Sequence, residues 1–231
     1  MKKISEHLFQ ISLGNVNAFI IEDKGLTLID TGYKNSMNKI VTAIKKAGRN
    51  PDDIKQIILT HCHPDHAGSA AAISKIFNVP VYAHAEEALL IEKGISGRLP
   101  MHLTPGFINW MVYCLFIKNS PKHNEPLEIA EKLIDNDVLP VAGGLQIIHT
   151  PGHSAGHISL LLKNEGVLIA GDICANVSGL ALSTVYEDVA LGIKSILKVS
   201  DFYFDKAVFG HGKAITEDAQ KKLKNRFSHD T

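Results

Sequence analysis

Apolar positions follow two spacings along this chain. Short, nearly unbroken runs at Leu26–Ile29, Ile57–Leu59, Leu145–Ile148, Val167–Ala170 and Ala207–Phe209 have the length of strands covered on both faces. Ile158–Leu162 reads the same way, interrupted only by Ser159. Between the first two runs, Met37, Ile40, Val41, Ile44 and Ala47 recur at helical spacing, and Gly48 follows as a stop signal. Residues 70–77, 85–92 and about 216–227 read as further helices, with Val79–Tyr82 extended. This βαβα alternation predicts an α/β domain. From Gly94 to Pro140 the pattern breaks down, punctuated by Pro100, Pro105, Pro121 and Pro126. An irregular insert over about 94–140 with one apolar helix is the expectation, inside a single domain spanning 1–231.

Composition narrows the class. The 231 residues are 45% hydrophobic, enough for a buried core, and 24 Lys+Arg balance 24 Asp+Glu. Zero net charge argues against nucleic acid or an anionic membrane as partner. The run Phe107–Ile117 falls well short of the roughly 20 residues that span a bilayer. Met1 to His7 starts basic, but Glu6, His7 and Gln10 interrupt any apolar leader segment. Cys62, Cys114 and Cys174 are too few and too scattered for a disulfide framework. A soluble, cytoplasmic monomer or homodimer acting on a small molecule is expected.

The chemistry concentrates in histidines. Thr60-His61-Cys62-His63-Pro64-Asp65-His66 places three imidazoles and a carboxylate within six residues, directly after a strand. Such donors suit zinc, iron or manganese. A strand-to-helix loop turns His61 and His63 one way and Asp65 and His66 another, so one loop could serve two ions. Four ligands do not complete two sites. His153, Asp172 and His211, each at a strand end beside glycine, are candidates for the remainder. No nucleophile elbow, phosphate-binding loop or dinucleotide fingerprint competes.

In Asp30-Thr31-Gly32, the His61–His66 motif, His153, Asp172 and His211, in that order, the chain resembles the metallo-β-lactamase superfamily over nearly its whole length. The resemblance implies an αββα sandwich, with two mixed β-sheets face to face, helices outside and metals at one edge. It implies that His61, His63 and His153 bind a first metal, that Asp65, His66 and His211 bind a second, and that Asp172 bridges them. Asp30 would hydrogen-bond the metal loop. Two divalent ions, zinc by default with iron or manganese also fitting, would activate a bridging hydroxide. That hydroxide would attack an ester, thioester or lactone carbonyl, with Asp65 orienting it or taking its proton.

Within the superfamily, Asp172 stands where true β-lactamases often carry Cys or Ser. It looks instead like the glyoxalase II and lactonase-like branch. Ala175 occupies the position of a tyrosine in quorum-signal lactonases, and few residues follow His211 to form a glutathione-binding region. A generic small-molecule hydrolase is the resulting expectation. The alternatives are a mononuclear iron enzyme resembling persulfide dioxygenases and a non-catalytic metal-binding protein. His157 is expected to hydrogen-bond and not to ligate, and His84 to sit at the rim. Cys62 and Cys174 are read as buried, inert thiols. Trp110, Tyr113 and Phe116 form either a pocket wall for an apolar acyl group or part of a core or dimer helix. Arg98 is a candidate anchor for an anionic substrate.

Overall fold

A computed structural model describes residues 1–229. Its first sheet has seven strands, in the order Lys2–Lys3, Leu8–Ser12, Asn17–Glu22, Leu26–Ile29, Ile54–Ile58, Val81–His84 and Glu131–Leu133. The first four pair antiparallel and the later ones parallel. The second sheet runs Lys206–Val208, Val167–Ile169, Ile158–Leu162, Leu145–His149 and Val138–Leu139, antiparallel except for the first pair.

Side chains alternate across each strand, and both faces are covered. Phe19, Ile21, Ile29 and Ile58 point toward Leu145, Ile147, Leu160, Ile169 and Val208 of the other sheet. Their neighbours Ile20, Leu28 and Ile57 pack outward on Ile40 and Ile44 of helix Met37–Lys46, Ile73 of Ala70–Phe77 and Ala88 and Ile91 of Ala85–Ile91. Ile148, Leu161 and Leu168 do the same against helices Val189–Val199 and Ala219–Phe227. The architecture is therefore the αββα sandwich, and burial on both faces is why its strands read as continuous apolar runs.

The stretch read as an irregular insert is only partly irregular. Glu131–Leu133 extends the first sheet beside Val81–His84, and Val138–Leu139 extends the second beside Leu145–His149. Helix Phe107–Val112 continues into a wider turn over Tyr113–Ile117, and no residue in either is buried. Phe107, Ile108, Trp110, Leu115 and Phe116 are all at least half exposed, so this is not a core helix. No helix among the described residues is long and apolar enough to cross a membrane.

At the sandwich end where Val167–Ile169 begins, His7 Nδ1 and Glu165 Oε1 lie 2.6 Å apart. The hydrogen bond to Glu165 raises the His7 pKa above 6.5. A group raised on folding stabilises fully below its unfolded value, and that contribution is lost as pH climbs through the folded one. Denaturant midpoints of wild type and Glu165→Gln should therefore differ most below pH 6.5, while Glu165 is still ionised, and converge as pH climbs past the raised His7 value. The pair is partly solvated, so the gap should not exceed about 1 kcal/mol. A gap that ignores pH would instead mean that Glu165 acts by packing.

Candidate metal centre

Four strands end at the same edge of the sandwich. Ile54–Ile58 leads to Thr60–His66, Leu145–His149 to Thr150–His157, Val167–Ile169 to Asp172 and Lys206–Val208 to His211. The first loop turns at Pro64, which opens the short helix Pro64–Ala67 where its missing N–H costs nothing. The two sheets are stitched here by Ile158 N–H on Thr60 O at 3.0 Å and by Asn17 N–H on Gly210 O at 2.8 Å. The Asn17 side chain also donates to Phe209 O and Gly212 O, each at 3.0 Å.

All seven predicted residues meet at this edge. His61, His63 and His153 form one group able to hold a cation, His61, His66 and Asp172 a second, and Asp65, His66 and His211 a third. Asp172 Oδ2 lies 3.2 Å from His211 Nε2, 3.5 Å from His66 Nε2 and 3.7 Å from His153 Nε2. Asp65 Oδ2 is 3.2 Å from His211 Nε2.

Four of the imidazoles are held from outside through one nitrogen and face the cluster with the other. His61 Nδ1 pairs with Thr60 Oγ1 at 2.9 Å, His66 Nδ1 with Asp30 Oδ2 at 2.8 Å, His153 Nδ1 with Val185 O at 2.8 Å and His211 Nδ1 with Asn15 O at 2.6 Å. This is how proteins fix the tautomer of metal-binding histidines. Asp30 adopts a left-handed backbone, φ 58°, which Asp tolerates better than most residues. Its buried carboxylate also accepts from Thr60 N and Thr60 Oγ1, both at 2.8 Å. It touches none of the groups from inside, as expected for a residue that orients the loop.

The donor set fits divalent ions. His61 Nε2, His66 Nε2 and Asp172 Oδ1 are buried without a hydrogen-bond partner, a costly arrangement that a cation relieves, and His63 faces His153 Nε2 through Nδ1 at 3.0 Å. Burial first, then neighbouring imidazoles, drives His61 and His153 well below 6.5, leaving neutral rings with lone pairs to give. On the other side burial opposes charge on His66 and His211, but Asp172 and Asp65 outweigh it and raise both well above 6.5. That side attracts positive charge. Gly210 leaves the room: a Cβ there would overlap the Asp172 carboxylate and stand 2.6 Å from His66 Cε1.

Residues outside the seven take definite places. His157 uses both ring nitrogens, Nδ1 with Thr150 Oγ1 at 2.8 Å and Nε2 accepting Asp172 N–H at 2.9 Å, so it has no lone pair for a cation. Gly171, at φ 58°, has no room for a side chain against that ring. His84 stacks on His149 with ring centroids 4.1 Å apart, outside the groups able to hold a cation. Burial pushes the Cys62 and Cys174 thiols up, which keeps them protonated. Arg98 is not a free anchor: its guanidinium is 3.3 Å from both Glu86 and Glu87 and 3.8 Å from Glu187, and three carboxylates occupy it. Two residues escaped the motif reading. Burial, then the charges of Asp65 and Asp172, pushes the Tyr33 phenol up to about 12, which places it within their field. Glu87, inside a helix, accepts N–H bonds from Cys62 and Gly156 in the two histidine loops.

Comparison with known proteins adds further likenesses. Residues 11–197 match the family model described as the metallo-beta-lactamase superfamily. The probable metallo-hydrolase YflN of Bacillus subtilis is 27% identical over 219 residues, 84% of this chain and 78% of that protein. The probable metallo-hydrolase MJ0888 of Methanocaldococcus jannaschii is 32% identical over 161 residues, 68% of this chain and 66% of its own length. Among solved structures, the metallo-beta-lactamase family protein TTHA1429 of Thermus thermophilus shares the fold, with a TM-score of 0.73 at 22% identity over 97% of this chain and 79% of that one.

Proposed function

Because the chain belongs to the metallo-β-lactamase superfamily, we propose that it is a hydrolase carrying two divalent metal ions that cleaves a small ester, thioester or lactone. The observation that carries this reading is the place of Asp172: one oxygen lies within 3.7 Å of imidazoles from both sides of the cluster, where a carboxylate shared by two ions belongs. His61, His63 and His153 would hold the first ion and Asp65, His66 and His211 the second. Bound there, divalent ions supply a Lewis acid for a carbonyl oxygen and lower the pKa of water.

The chain's own residues do the rest. Asp30, Val185 O and Asn15 O keep His66, His153 and His211 aimed inward, so the site needs little reorganisation. Asp65, whose side chain is 19% exposed, is the cluster carboxylate that meets solvent. It can orient a water and receive its proton. No nucleophilic serine or cysteine is required: Cys62 is held as a thiol by its burial, with Glu87 adding to the shift. The exposed apolar surface of Phe107, Ile108 and Trp110 supports a substrate with an apolar acyl part, since Thr104 at its base bonds Ser183 O, and Ser183 bonds Asp172 O. Zinc is the expected ion, and iron or manganese suits the same donors.

Elemental analysis of reconstituted protein and a panel of esters, thioesters and lactones, with zinc or iron loaded, test the proposal. Two ions per chain and turnover on one substrate class are expected. Persulfide-dependent oxygen consumption by a one-iron form would favour the mononuclear alternative, and metal uptake without turnover a structural one.

A further inference from the structure

Glu87 is a wholly buried carboxylate on helix Ala85–Ile91, outside the seven-residue cluster. Its Oε2 accepts the Cys62 N–H at 2.8 Å, and its Oε1 accepts the Gly156 N–H at 2.9 Å. Cys62 lies between His61 and His63, and Gly156 lies between His153 and His157. One side chain therefore grips both loops that supply the first triad, although those loops leave different sheets. Gly156 fits closely against it: a Cβ there would stand 2.8 Å from Glu87 Cγ.

The charge is supported from outside. Arg98 Nη1 lies 3.3 Å from Glu87 Oε1 and 3.8 Å from Glu187 Oε1. Glu187 Oε2 accepts Ala155 N–H at 2.8 Å, so a second carboxylate holds the residue next to Gly156. Burying an anion is costly unless hydrogen bonds and a counter-charge offset it, and here two N–H groups and a guanidinium do so. Core packing alone would be served by an apolar residue of similar size. On the second side, Asp30 holds His66 directly. Among the described residues nothing equivalent touches the rings of His61, His63 and His153 together, and Glu87 instead holds the backbone of their loops at Cys62 and Gly156.

We propose that Glu87 is the positioning residue of the first metal group, fixing the His61–His63 loop against the His153–His157 loop so that the three imidazoles meet in one geometry. This rests on the reading that these imidazoles hold a divalent ion.

The test isolates each group. In a His211→Ala background the first group is intact, and in a His153→Ala background the second is. Cobalt(II) is titrated into metal-free protein, with absorbance giving a dissociation constant for each background, with and without Glu87→Gln. Gln keeps the length but turns an NH2 toward one of the two N–H groups. Affinity should fall about 10- to 100-fold in the His211→Ala background, the usual size for a residue that orients ligands. It should be unchanged in the His153→Ala background. Glu87→Asp keeps the charge but cannot span both loops, and should not rescue. Arg98→Ala, which leaves both N–H bonds in place, should give a smaller loss in the same background only, and serves if Glu87→Gln does not fold. Equal losses in both backgrounds, or none, would overturn the proposal while leaving the two-ion reading intact. A wild-type chain that takes up no cobalt would overturn both.

Discussion

Asp65→Ala is expected to lose the second ion and at least about 10²-fold in kcat, because residues that hold a metal fix both geometry and water activation. Without Asp65, His211 faces Asp172 alone and the Asp65–His66–His211 group loses its only carboxylate. Asp65→Asn preserves the shape but offers a neutral oxygen, so it should retain more metal than Ala and still turn over slowly. Metal per chain and steady-state rates on the same preparations check both variants. Near wild-type turnover in a folded Asp65→Ala protein would sink two-ion hydrolysis.

A second large effect should come from a single methyl group. In Gly210→Ala the new carbon would collide with the Asp172 carboxylate and press on the His66 ring. The backbone has little room to yield, since Gly210 N–H bonds Gly171 O at 2.9 Å and Gly210 O accepts from Asn17 N at 2.8 Å. The side chains must move instead: Asp172, which both ions would share, and His66 of the second group. Overpacking of this kind costs about 1–3 kcal/mol of stability. A displacement of ligands by about 1 Å costs roughly 10²-fold in rate. Calorimetry, metal content and kcat on the purified variant separate the two effects. Unchanged metal content with unchanged kcat would mean that the space at Gly210 is not part of the site.

The parts of this molecule that sequence reveals are those whose physics is local. The His61–His66 motif needs only a strand end and Pro64, so its chemistry is legible without a fold. Strands such as Ile54–Ile58 and Val167–Ile169 are equally plain, because burial on both faces writes a continuous apolar run. Leu8–Ser12 and Asn17–Glu22 stay unassigned by apolar pattern, since Gln10 interrupts the first run, although Gly14-Asn15 between them is a hairpin turn signal. Helix Val189–Val199 stays unassigned as well, although Asp188 caps it by accepting Leu191 N–H and Ile193, Ile196 and Val199 mark its buried side. Two-residue strands such as Val138–Leu139 exist only through a partner across the sheet and carry no signal of their own. Glu87 is the instructive case. Beside Glu86 at the start of a helix it reads as a solvated acid favouring the helix N-terminus, and only the fold brings Cys62 and Gly156 to it. Arg98 misleads for the same reason, because the three acids that occupy it are brought together only by the fold.

The Asn15 carbonyl and the Asn17 amide await partners 196 and 192 residues further along, at His211 and Phe209. A ribosome adding about 5–20 residues per second needs roughly 10–40 s to cover that distance. During synthesis the His61–His66 loop emerges well before Lys206–Val208, the strand that presents His211. The two groups therefore mature in order: the His61, His63 and His153 triad has all its members before His211 is made. Asn17 closes the site around a strand end that is made long after it.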